Sequence, residues 1–166
     1  RKGKWSIFQS KKVREEEPFF YASTLTKEEI IVMPNNEVDN YLPKISPDGK
    51  KMAYIADRRT LRVMDLTTRK TVTLLTPNEL FHMRDGDKNF TWSPDSKWIL
   101  ADFSKLLNNS DIILLDASGK EEMKTLVPSG YYDVGAQWVN EGKQMIWFSN
   151  RNGLKSYATS GSTEYD

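Results

Sequence analysis

The phrase Ser46-Pro47-Asp48-Gly49-Lys50 returns as Ser93-Pro94-Asp95-Ser96-Lys97 and, in altered form, as Val139-Asn140-Glu141-Gly142-Lys143. The copies start at residues 46, 93 and 139, spacings of 47 and 46 residues. That is the length of a unit of four short strands. A unit this small cannot bury its apolar faces alone, so neighbouring units must stack. The repeated residues form turns: proline presets φ, aspartate bonds the backbone ahead of it, and glycine accepts a positive φ.

Each copy reads the same way outward from its turn. An apolar residue precedes it (Ile45, Trp92, Trp138), and a short apolar run follows: Met52–Ile55, Ile99–Phe103 and Met145–Phe148. These runs are apolar on both faces, as strands sandwiched between two sheets are. A third strand is expected at Leu61–Leu66 and Asp111–Asp116, each ending in an Asp-containing turn, and a more polar fourth at Thr71–Leu75 and Glu122–Val127. Charges and threonines on an outermost strand blunt its free edge against pairing with another chain.

The fold class expected is therefore all-β, a β-propeller fragment of about three four-stranded blades. Residues 1–35 read as an outer half-blade, with strands at Pro18–Ser23 and Ile30–Met33. Residues 36–82 and 83–133 read as whole blades, and 134–166 as an inner half-blade with a polar tail. Three blades do not close a ring, since propellers use about four to eight. Two copies, each lending its N-terminal hairpin to the other's C-terminal strands, are expected to close a six-bladed homodimer.

Composition narrows the function. Twenty-four Lys and Arg balance 23 Asp and Glu for a net charge of +1, so no long-range field draws nucleic acid or an anionic membrane. The absence of cysteine removes disulfides and thiolate metal sites. No apolar run reaches the ~20 residues of a membrane-spanning helix. The start, Arg1-Lys2-Gly3-Lys4-Trp5, has neither an initiating Met nor an apolar signal core, so the chain reads as part of something longer.

The residues offer no catalytic, cofactor or metal site. His82 is the sole histidine; it falls in a polar connection, where a solvated or locally bonded loop histidine is expected and not the base of a triad. One imidazole cannot make a multi-histidine metal site. Asp85 and Asp87, around Gly86, could offer two carboxylates to calcium, but without the rest of a binding loop they read as a turn into the next inner strand. Asp48 and Asp95 read as turn acceptors. Trp92 and Trp138, at equivalent repeat positions, read as core and not as a sugar platform. Ser93–Trp98 matches a sialidase Asp-box poorly, because Ser96 stands where that box has glycine. Lys11-Lys12-Val13-Arg14 followed by Glu15-Glu16-Glu17 reads as a self-neutralising loop.

The Ser-Pro-Asp-Gly-Lys repeats resemble those of TolB-like propellers. Three segments in order, Glu15–Thr24, Asp85-Gly86-Asp87 leading to Trp92-Ser93-Pro94-Asp95, and Met145–Gly153, resemble the N-terminal propeller of bacterial tricorn-protease-like serine peptidases. The likeness covers nearly the whole chain; the third repeat departs from it, with Val139-Asn140-Glu141 in place of Ser-Pro-Asp. It implies a non-catalytic part of a large peptidase, gating peptides toward a PDZ-containing, serine-bearing remainder absent from these residues. It also implies a periplasmic home. The alternative is a TolB-like module that binds a protein or peptide partner with no protease attached. No cofactor is expected.

Overall fold

The structure is a computed structural model that describes residues 5–9, 20–24, 29–33, 40–79, 88–106 and 109–151. His82, Asp85, Asp87 and the charged run 11–17 lie outside them. Among the described residues the chain is strand and turn, with one short 3-10 turn at Asn140–Gly142 and no α-helix. It divides into two compact units, Arg1–Leu75 and Thr76–Asp166.

The first unit holds two antiparallel sheets. β1 (Trp5–Gln9), β2 (Phe20–Thr24) and β3 (Glu29–Met33) pair in that order. Sequence patterning places two strands here and the backbone adds β1. The connection after it carries none of the Ser-Pro-Asp chemistry that marks the turns starting at Ser46 and Ser93. β4 (Asn40–Ile45), β5 (Lys51–Ala56), β6 (Thr60–Asp65) and β7 (Thr71–Leu75) form a four-stranded meander. β5 is buried along Met52–Ala56, the fate of a central strand with no solvent face. Its partner residues on β6 continue the core, Met52 opposite Met64 and Ile55 opposite Leu61. On β7, Thr71, Val72 and Thr73 are exposed and Leu75 is buried, as expected of the outermost strand.

The second unit repeats the plan. β8 (Phe90–Trp92), β9 (Trp98–Leu106), β10 (Asn109–Asp116) and β11 (Lys124–Val127) form the next meander, and β12 (Asp133–Val139) pairs with β13 (Gln144–Ser149). The two sheets meet through apolar packing: Leu100, Ile112, Val127 and Ala136 are buried together, with Leu114, Trp138 and Met145 against them. Polar bonds cross the same seam. Trp138 Nε1 donates to Thr91 O (3.4 Å) and Asn89 Nδ2 to Ala136 O (3.5 Å). Four-stranded meanders recurring at the turn period, with a two-strand sheet stacked on the last, are the organisation of β-propeller blades.

Candidate functional site

The repeated turns come first, because they hold the hydroxyl and carboxylate groups that any hydrolytic reading would need. In the first, Ser46 Oγ donates to Asp48 Oδ1 (2.6 Å) and accepts from Lys51 N–H (2.9 Å), while Gly49 N–H closes the turn on Ser46 O (2.8 Å). In the second, Ser93 Oγ donates to Asp95 Oδ1 (2.6 Å) and accepts from Trp98 N–H (2.9 Å), and Ser96 N–H bonds Ser93 O (3.0 Å). Ser96 holds φ at 62°, near the 75° of Gly49, so a non-glycine residue carries the left-handed position here. The Ser93 hydroxyl holds the Asp95 carboxyl below the usual range; at Asp48 burial pulls upward, but Ser46 and the Lys50 N–H prevail. Both serines are buried inside their own turns.

The third turn is built differently. Asn140 and Glu141 stand at φ 50° and 55°, and Lys143 N–H bonds Asn140 O (3.0 Å). Proline would forbid the first of those angles. Replacing it with asparagine, and the clasping serine with Val139, lets the turn close one residue later. Of the apolar residues ahead of the turns, Trp92 is buried and Trp138 packs into the seam as expected of core; Ile45 is exposed.

At the opposite end of the second unit's sheets, polar groups gather that the repeat did not point to. A parallel bridge sets Ser110 beside Tyr132, bringing the start of β10 (Asn109, Ser110, Asp111) alongside the start of β12. Asp133 is fully buried. Its Oδ1 accepts from Trp147 Nε1 (3.1 Å), its Oδ2 from Ser129 Oγ, and Ser149 donates as well. Burial pulls the Asp133 carboxyl upward, but these donors and the Arg151 charge hold it below the usual range. Asp111 goes the other way: burial first, then the Asp133 charge, raise it against one backbone N–H from Ser129. Asn109 Oδ1, Ser110 Oγ and Asp111 Oδ1 are buried without hydrogen bonds. The nearby Asp102 carboxylate on β9 accepts the Gly135 N–H (3.1 and 3.3 Å), a third polar tie across the seam.

This arrangement fastens sheets together; with three donors on it, Asp133 is an ionised anchor with little basicity left to take a proton. Among the described residues no three acidic or imidazole groups converge to hold a metal ion. Sequence reasoning missed Asp102, Asp111 and Asp133 as structural groups. One signal was available for Asp133: Asn40 and Asp133 both open an inner strand at matching distances from their turns, and both are fully buried. Beyond this cluster, β13 shows Ile146, Trp147 and Phe148 to solvent.

No family model matches the chain, and no curated protein matches it in sequence. Solved structures do. TolB from Acinetobacter baumannii aligns over 81% of this chain at 22% identity and a TM-score of 0.59, and the tricorn protease over 80% at 17% identity and 0.61. The fold is thus that of a β-propeller fragment, as in these two structures. The chain spans 32% of that TolB chain and 13% of the tricorn protease chain.

Proposed function

We propose that this chain is a non-catalytic propeller segment of a serine peptidase resembling the tricorn protease, where it scaffolds and gates peptide access to a catalytic domain. The observation that carries the reading is the use of the repeated Ser–Asp pairs: both hydroxyls donate to their own turn's carboxylate while accepting a backbone N–H. A nucleophilic serine must instead give its proton to a base. The test is incubation of the purified chain with labelled casein and a fluorophosphonate probe. Neither turnover nor serine labelling is expected; labelling accompanied by turnover overturns the proposal.

A second reading is a TolB-like module that docks a protein or peptide partner with no protease attached. It draws on the likeness to TolB and on the exposed apolar residues of β13. A reading frame that runs on into a PDZ and a serine-nucleophile domain decides for the peptidase. Periplasmic residence belongs to the same proposal, and cell fractionation checks it. A ring closed by two copies, each lending its N-terminal hairpin to the other's C-terminal strands, belongs to the same proposal; light scattering is expected to read a dimer, and a stable monomer overturns it.

A further inference from the structure

We propose that Asp111 and Asp133 make the seam between the β8–β11 sheet and the β12–β13 sheet pH-sensitive, holding more tightly in mild acid than at neutrality. The geometry comes from the parallel bridge between Ser110 and Tyr132, which sets the next residue of each strand, Asp111 and Asp133, side by side. Asp133 is fully buried and bound by three donors. Asp111 has one buried oxygen with no hydrogen bond. Two carboxylates so placed resist ionising together. The anchored member keeps its charge, and Asp111, half-buried with one oxygen unbonded and one backbone N–H from Ser129, gains most from a proton.

Charged groups lie on the elements around the pair, and they include Lys88, buried just ahead of β8. β12 contributes Asp133, the end of β13 contributes Arg151, which acts on Asp133, and β9 contributes Asp102, occupied by the Gly135 N–H. The 128–132 segment offers the Ser129 groups and two tyrosines, with no acid or base. On β11, Lys124 is paired with Glu121 (2.8 Å).

The sign follows from linkage. Asp111 is raised from 3.8 in the folded chain, so its contribution to stability is present in acid and is lost as pH rises from that value through the folded one. Asp133 and the turn carboxylates are lowered from the same value. Their contributions are complete above it and are lost only below. Of these groups, Asp111 alone is shifted in the direction that favours the seam in acid.

The test is hydrogen exchange of the 166-residue chain, read on peptides covering 133–139 at pH about 4.5 and about 7.5 and corrected for intrinsic rates. Wild type is expected to show several-fold greater protection at the lower pH, with a ceiling of about tenfold per pH unit by which the Asp111 carboxyl is raised. Asp111→Asn is expected to lose that dependence and to be the better protected at the higher pH. Asp133→Asn, less stable overall, is expected to weaken it, because the neighbouring charge goes while burial still raises Asp111; a dependence left unweakened there overturns the proposal should Asp111→Asn not fold. Asp102→Asn is expected to retain it. A flat wild-type profile, dependence surviving in Asp111→Asn, or dependence lost through Asp102 would overturn the proposal.

Discussion

β9 and β13 hold the same place in successive repeats and are made of the same kind of residue, yet they live in different surroundings. Ile99, Leu100 and Ala101 are 0–1% exposed; Ile146, the counterpart of Leu100, is 55% exposed, and Phe148, the counterpart of Asp102, is 73% exposed. β9 has β8 and β10 at its edges and β12 across one face, whereas β13 pairs with β12 alone among the described residues. An apolar strand pattern thus fixes the strand. Burial depends on how many neighbours the strand finds, and its energetic weight follows burial.

The largest effect expected from this difference is at Leu100. Leu100→Ala opens a cavity among Ile112, Val127 and Ala136 and is expected to cost about 2–5 kcal/mol, whereas Ile146→Ala costs less than about 1 kcal/mol. Urea unfolding of both variants measures it; equal losses would mean that β13 is covered in solution. Next comes the turn that feeds β9. Ser93→Ala leaves the Trp98 N–H and the Asp95 carboxylate short of a partner and is expected to cost about 1–3 kcal/mol. A loss below about 0.5 kcal/mol would show that Pro94 alone holds the turn.

The turn that feeds β13 can be tested at its glycine. Gly49 and Gly142 both stand at positive φ, but a Cβ at Gly49 meets open space, whereas one at Gly142 lies 3.0 Å from Pro94 Cδ. Alanine is expected to cost about 1–2 kcal/mol at Gly49 and more at Gly142. Identical thermal shifts would show that Pro94 moves aside. The smallest effect is electrostatic. Burial opposes ionisation of Asp116 at the end of β10, but Ser118 and the N–H groups of Lys120 and Glu121 lower it to about 2. Its contribution is complete above 3.8 and fades as pH falls toward about 2. Asp116→Asn is therefore expected to flatten part of the acid limb of stability without altering the neutral end, as urea midpoints between pH about 2 and about 5 would record.

Much of the fold was legible because turn chemistry is local. Ser46, Asp48 and Gly49 bond within a few residues of one another, so their spacing announces the hairpin wherever it occurs. β1 carried no such mark. The third turn kept its glycine but not its proline, and its closure by Asn140 was unreadable, since asparagine permits several backbone states. The carboxylate cluster was less legible still. Asp111 looks like any polar residue opening a strand, and its place beside Asp133 depends on a bridge between residues 22 positions apart.

By itself the sequence determined the period, the strand runs and the turn acceptors, because each rests on interactions that span a few residues. Only the tertiary structure decided that Asp102 ties one sheet to the next and that Asp133 is sealed by Trp147 and Ser129. The same holds for Leu100, which is buried while Ile146 is not. Solvent exposure and the energy of a charge are properties of everything packed around a residue, and the neighbours that matter are set by sheet stacking, which no local pattern encodes.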